Sequence, residues 1–199
     1  MAYRSEVARD QPVGVLLAAG RGRRMGGRKQ FHLVPTAEGE KPLVAAAFDS
    51  IASECQSMIV VVGHRAKEVI AALGDREFSS VTADADAAMF DSVKVGLRAA
   101  QAIDAGVDVL LQLGDHPQVL PETLQHILTA ASANSTRAVM PEYQGQGGHP
   151  VFLPVSLIQN LLDADCPDGL REFWNNHPES CFRVAVEDAA VVRDIDVIE

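Results

Sequence analysis

Short apolar runs that close on a glycine recur along this chain, and segments of helical spacing separate them. Val13–Ala18 (VGVLLA), Ser57–Val62 (SMIVVV) and Val107–Leu113 (VDVLLQL) are uninterrupted or nearly so, as strands buried on both faces must be. Between and after them, Lys41–Ser53, Arg65–Leu73 and Phe90–Ile103 carry helical patterns, the last with Val93, Leu97 and Ala100 on one face. Pro121 opens a further helix, PETLQHILTAA, from a first-turn position where proline is tolerated. Ser79–Ala83 and Arg137–Met140 read as strands, Pro154–Leu162 and Gly169–Asn176 as helices, and Phe182–Val186 and Ala190–Ile195 as short closing strands. Strand and helix in alternation predict a three-layer α/β/α fold with a mostly parallel sheet covered on both faces. Ligands of such sheets sit beyond the carboxyl ends of the strands. Pro35–Pro42 and Gly145–Pro154 are rich in glycine or proline and are expected as loops at that edge.

A chain of 199 residues is expected to form one domain, here 13–199 behind an N-terminal extension of 1–12. No apolar run approaches the roughly 20 residues of a bilayer span, and MAYRSEVARDQ lacks the apolar centre of a secretory signal. A cytoplasmic protein without a membrane partner is expected. Cys55, Cys166 and Cys181 are odd in number and have no CxxC spacing, so they are read as reduced structural thiols.

The net charge of −10 disfavours nucleic acid as a partner. Against that background Arg21, Arg23, Arg24, Arg28 and Lys29 crowd into nine residues just after the first strand. A local positive focus on an acidic chain suits a small polyanion. The known phosphate loops do not fit: Gly20, Gly22 and Gly26 are spaced one residue too long for a dinucleotide fingerprint. Gly22 and Gly27 are spaced as in a P-loop, but Arg28 follows, Lys29 comes one place late and Gln30 stands where a hydroxyl would hold magnesium. What remains is glycine backbone that approaches phosphate, with Arg24 and Lys29 to neutralise it.

LAAGRGRRMGGRKQ resembles the LAAGxSxRMGxxK signature of nucleotidyltransferases of the molybdenum-cofactor cytidylyltransferase type, with Gly22 in the serine position. DSVKVGL (91–97), LLQLGDHPQV (110–119), GQGGHPVF (145–152), DGLREFW (168–174) and DIDV (194–197) follow in the family's order. DSVKVGL is also similar to the cytidylyltransferases of isoprenoid synthesis. The resemblance implies a Rossmann-like domain of the nucleotide-diphospho-sugar transferase type that transfers CMP from CTP to the terminal phosphate of molybdopterin and releases pyrophosphate.

It further implies roles. Backbone of Leu17, Ala18, Ala19 and Gly20, with Gly22, would hold the nucleotide, and Ala19 matches the CTP-using rather than the GTP-using branch. Arg24 and Lys29 would stabilise phosphate charge. Asp115, just past the VLLQL strand, would bind Mg2+, with Asp196 or else Asp194 as the second carboxylate. Ser92 is read either as a nucleotide contact or, like Asp91, as a helix N-cap. Gly147, Gly148 and His149 would face the second substrate with Asp168 nearby, although a histidine held by its neighbours is an equal reading of His149. The competing readings are GTP as donor, another acceptor such as a sugar phosphate or methylerythritol phosphate, and a cofactor-binding maturation factor that delivers pterin to a recipient molybdoenzyme without catalysis.

Overall fold

The computed structural model describes residues 11–20 and 28–194. Arg24, Gly22 and Asp196 lie outside the described residues. The main sheet contains β1 (Val13–Ala18), β4 (Ser57–Val62), β5 (Ser79–Thr82), β6 (Val109–Leu113), β7 (Ala138–Tyr143), β8 (Gln146–Gly147), β9 (Val151–Leu153) and β10 (Cys181–Ala185). Its order is β10-β7-β9-β6-β1-β4-β5, with β8 hydrogen-bonded to β7. β1, β4, β5 and β6 run parallel, as do β7 and β10, whereas β9 is antiparallel to both its neighbours. The fold is the mixed, mostly parallel α/β/α architecture that the alternation predicts.

Successive side chains of β1 supply opposite layers, the reason its sequence is apolar without interruption. Val13 and Val15 pack with Ile59, Val61, Leu111, Phe90 and Leu97 on one face. Leu16 and Ala18 pack with Val60, Leu110, Val44, Phe48 and Ile127 on the other. The first layer is built from α3 (Met89–Ile103), α5 (Val155–Asp163) and α6 (Leu170–Asn176), the second from α1 (Leu43–Ala52), α2 (Ala66–Leu73) and α4 (Pro121–Ala133). Gly96 lets α3 lie against the sheet: a Cβ there would stand 2.5 Å from Val15 Cγ1 and 3.1 Å from Val61 Cγ2.

Several elements depart from expectation. Pro35–Pro42 is no open loop, because β2 (Leu33–Thr36) and β3 (Gly39–Pro42) form a hairpin whose turn is held by Thr36 Oγ1 donating to Gly39 O at 2.6 Å. Helix α1 consequently begins at Leu43 rather than Lys41. Gly145–Pro154 contains β8 and β9, whose Val151, Phe152 and Leu153 are all buried. Ala190–Ile195 is not a strand over its described part: residues Ala189–Val192 make a 3-10 turn, started by Ala190 N–H donating to Asp188 Oδ1 at 2.9 Å. Val191 satisfies its apolar character by packing with Val119 and Val186. Neither Asp91 nor Ser92 caps α3, since the helix starts at Met89 with Ala88 at the cap and both residues are already inside it.

Just before β9 the half-buried His149 meets the buried His116. The rings of His116 and His149 meet edge to face, centroids 5.7 Å apart, and neither Nδ1 has a hydrogen-bond partner. Burial pushes His149 down to about 4, helped by His116, while the Leu111 backbone carbonyl and Asp115 act the other way. Burial likewise lowers His116 against the opposing pull of Asp115 and Asp194.

Two outcomes follow from this packing. Gly96→Ala should cost about 1–3 kcal/mol in denaturant unfolding, because the added methyl meets β-branched side chains of the sheet. The unfolded chain protonates His149 near pH 6.5 while the folded chain resists until about 4, so this group's contribution is whole above pH 6.5 and is lost as pH falls through that window. Thermal unfolding followed between those pH values should therefore have a shallower slope in His149→Gln than in the wild type, and equal slopes would contradict the assignment.

Candidate active site

The carboxyl ends of β1 and β6 are tied together before any side chain is considered. Gly114 N–H donates to Leu17 O at 3.0 Å, and a Cβ on Gly114 would come within 3.0 Å of that same oxygen. Gly63, at the exit of β4, sits so close that a Cβ would lie 2.4 Å from Ala19 O. Both glycines are needed because backbone passes against backbone there. The turn after β6 is held from below by Gln112, which is fully buried and donates through Nε2 to His116 O at 3.1 Å and to Ser50 Oγ at 3.3 Å. Asp115 therefore leaves a braced turn at the sheet edge.

Above this edge opens a cleft of about 350 Å³. Leu17, Ala19, Gly20, Lys29, Ser92 and Asp115 all line it, as do Gln30 and Asp194. Ala18 is buried behind the wall, and its carbonyl accepts from Gln30 Nε2 at 3.0 Å, which anchors the 3-10 turn Lys29–Phe31 to the end of β1. From that turn Lys29 Nζ reaches Asp115 Oδ2 at 2.8 Å and Asp194 Oδ2 at 3.8 Å. The lysine side chain is 11% exposed and the two carboxylates 33% and 46%, so the cation is sheltered while its partners face the cleft. Ser92 is buried in the first turns of α3 and points its residue to the same space.

Two further cavities adjoin this cleft. One of about 430 Å³ shares Leu17, Met89 and Leu113 with it and reaches His149 and Asp168. The other, of about 390 Å³, contains Gly148 and again His149. Thus the residues expected to meet the two substrates fall into two neighbouring groups along one sheet edge. The glycines of the second group also serve the chain itself: a Cβ on Gly148 would stand 2.2 Å from Val191 O, and one on Gly147 2.3 Å from Met140 Sδ.

Sequence reasoning passed over Gln112, Gly63 and Asp188. An amide alone within an apolar strand is the signal that Gln112 gave. Asp188 gave none, since its value lies in reaching another element: its Oδ2 accepts from Leu120 N at 2.9 Å and Thr123 Oγ1 at 3.0 Å, at the start of α4. That attachment fixes the turn leading to Asp194. Asp194, the second choice for the acidic partner of Asp115, is the one the described residues bring into the cleft.

Asp115 and Asp194 fit a hard divalent cation that takes one or two carboxylates and completes its shell with phosphate and water. Among the described residues no group of three or more His, Cys, Asp or Glu side chains is placed to hold a metal ion.

Residues 14–181 match the family described as MobA-like NTP transferase domain. Among solved structures, Rv0371c from Mycobacterium tuberculosis H37Rv is 26% identical with a TM-score of 0.77, covering 94% of each chain. A complex of Rv0371c with manganese is 27% identical with a TM-score of 0.72 over the same shares. The bifunctional protein GlmU of Brevibacillus brevis (strain 47) is 34% identical over 147 residues, 67% of this chain. The chain spans only 29% of that relative's length. With the family match extending from β1 to the start of β10 and a cation–carboxylate cleft at the sheet edge, the chain belongs to the MobA-like NTP transferase domain family and is a nucleotidyltransferase.

Proposed function

We propose that the chain transfers CMP from CTP to the terminal phosphate of molybdopterin, with release of pyrophosphate. The observation that carries the reading is the contact of Lys29 with Asp115 and Asp194 inside a cleft that also holds Ala19, Gly20 and Ser92. A base held by backbone at the end of β1 leaves its phosphates over this charged floor. The Ala18-Ala19-Gly20 sequence favours CTP through its resemblance to the CTP-using branch.

A phosphate nucleophile is already anionic near neutral pH, so the protein has no proton to remove from it. Attack on the α-phosphate forms one P–O bond as the bond to pyrophosphate breaks, and catalysis then consists of alignment and charge neutralisation. Lys29 supplies a fixed positive charge in a sheltered position, and Arg24, which lies outside the described residues, would add a second. Such a charge is most effective where water is partly excluded. Asp115 and Asp194, or Asp196 in place of the latter, would hold Mg2+, which offsets negative charge on the phosphate oxygens. Ser92 would contact the ribose or base from α3. Gly148, His149 and Asp168 would line the acceptor side, where His149 stays neutral and adds no charge to the site.

Pyrophosphate release measured with molybdopterin, magnesium and either CTP or GTP tests this directly. CTP should support turnover and GTP should not, and Asp115→Asn should lower kcat by about 10²-fold or more. Turnover undiminished in Asp115→Asn would remove the carboxylate from the mechanism. Transfer only to sugar phosphates would replace the acceptor.

A further inference from the structure

We propose that Lys94 is a positioning residue for the acceptor: it ties the segment 164–169 to α3 and thereby sets the width of the cavity of about 430 Å³ beside the nucleotide cleft. The inference rests on the reading that the acceptor lies in that chamber with its phosphate toward the nucleotide.

Two walls of the chamber come from distant parts of the chain. One is the start of α3, with Met89, Phe90 and Val93, and the other is the stretch from Pro167 to Arg171 that contains Asp168. Both are laid over the sheet rather than hydrogen-bonded within it, so their separation depends on contacts between them. Lys94 makes such a contact. It stands one turn after Phe90, its Nζ lies 5.1 Å from the centroid of the Phe90 ring, and it donates to Ala164 O at 2.5 Å. That carbonyl is the first beyond α5, where φ −66° and ψ 149° turn the chain out of the helix. The negative end of the helix dipole lies there, and α5 has no basic residue in its own last turn. The complementary cation is supplied by another helix instead. An ammonium on a half-buried stem suits the place, because a charge-assisted bond is stronger than a neutral one and the ring face beside it attracts the same charge.

Beyond Ala164 the segment is shaped to pass the constraint on. Cys166 is buried in the layer that holds Val93 and Leu97. Gly169 N–H donates to Cys166 O at 2.9 Å, closing a turn that ends on a glycine with φ 85°. Asp168 N–H donates to Glu172 Oε2 at 3.0 Å, which joins that turn to α6. A segment bonded to itself in this way moves as a unit, so a tether at Ala164 fixes where Asp168 stands. Ser92, two residues before Lys94 on the same helix, lines the nucleotide cleft instead of this chamber. Loss of the tether should therefore be felt by the acceptor and not by the nucleotide.

Amide hydrogen exchange of the full chain without substrates reads the tether alone. In Lys94→Met, which keeps an apolar stem over Phe90 and removes the donor, amides of residues 164–169 should exchange roughly tenfold faster while those of 155–162 keep the wild-type rate. Steady-state kinetics with CTP, magnesium and molybdopterin should show the acceptor KM raised roughly tenfold, with kcat and the CTP KM changed by less than about twofold. Lys94→Arg, which retains a cationic donor, should return both readouts toward the wild type. Lys94→Gln, also without the charge, takes the place of the methionine variant if that one does not fold. Unchanged exchange in 164–169, a CTP KM raised as much as that of the acceptor, or no recovery with arginine would each overturn the positioning role. If transfer runs to a different phosphorylated acceptor, the molybdopterin assignment falls, and the same KM comparison made with that acceptor decides the role of Lys94.

Discussion

The contact between Lys29 and the carboxylates of Asp115 and Asp194 joins three segments that are far apart in sequence: the loop after β1, the turn after β6 and the stretch beyond the last 3-10 turn. Each arrives by its own support. Gln30 fastens the first to Ala18, Gln112 braces the second from inside the sheet, and Asp188 ties the third to the start of α4. Removing one partner from a sheltered ion pair leaves charge poorly compensated, so the three supports act on a single electrostatic balance. On the proposed reading an incoming polyphosphate would change that balance, offering the lysine a stronger anion and leaving the carboxylates available to a divalent cation.

Close backbone packing makes this placement possible. Gly114 against Leu17, Gly63 against Ala19 and Gly148 against Val191 are contacts that a Cβ would force apart. They bring strand ends and the segment preceding Asp194 within reach of one small ligand. The glycines of the second cavity thus serve the shape of the wall as well as any approach of substrate.

Much of this was legible in the sequence because buried parallel strands write themselves as apolar runs. Val13–Ala18 and Ser57–Val62 are found where the pattern put them, and β6 begins two residues later than expected. Lys29 and Asp115 were legible because cationic and acidic residues follow strand ends, whereas Leu17, Ala19, Gly20 and Ser92 were named through the family resemblance, and all six line one cleft. The β2–β3 hairpin was missed, since Pro35, Gly39 and Pro42 lack the alternation of a half-buried strand, and β9 is only three residues long. Val191 and Val192 look like strand residues, yet the side chain of Asp188 turns the backbone locally. Asp188 itself was invisible because its partners lie more than sixty residues away.

The central claim is that one nucleoside triphosphate bridges the lysine beside the first strand and the acidic residues beside the middle strand. A crystal of the chain soaked with CTP and magnesium measures it most directly. The account predicts phosphate oxygens on Lys29, the cation on Asp115 with a second carboxylate from the chain's last residues, and the base against Leu17–Gly20. A triphosphate bound elsewhere, with Lys29 still paired to Asp115, would contradict it.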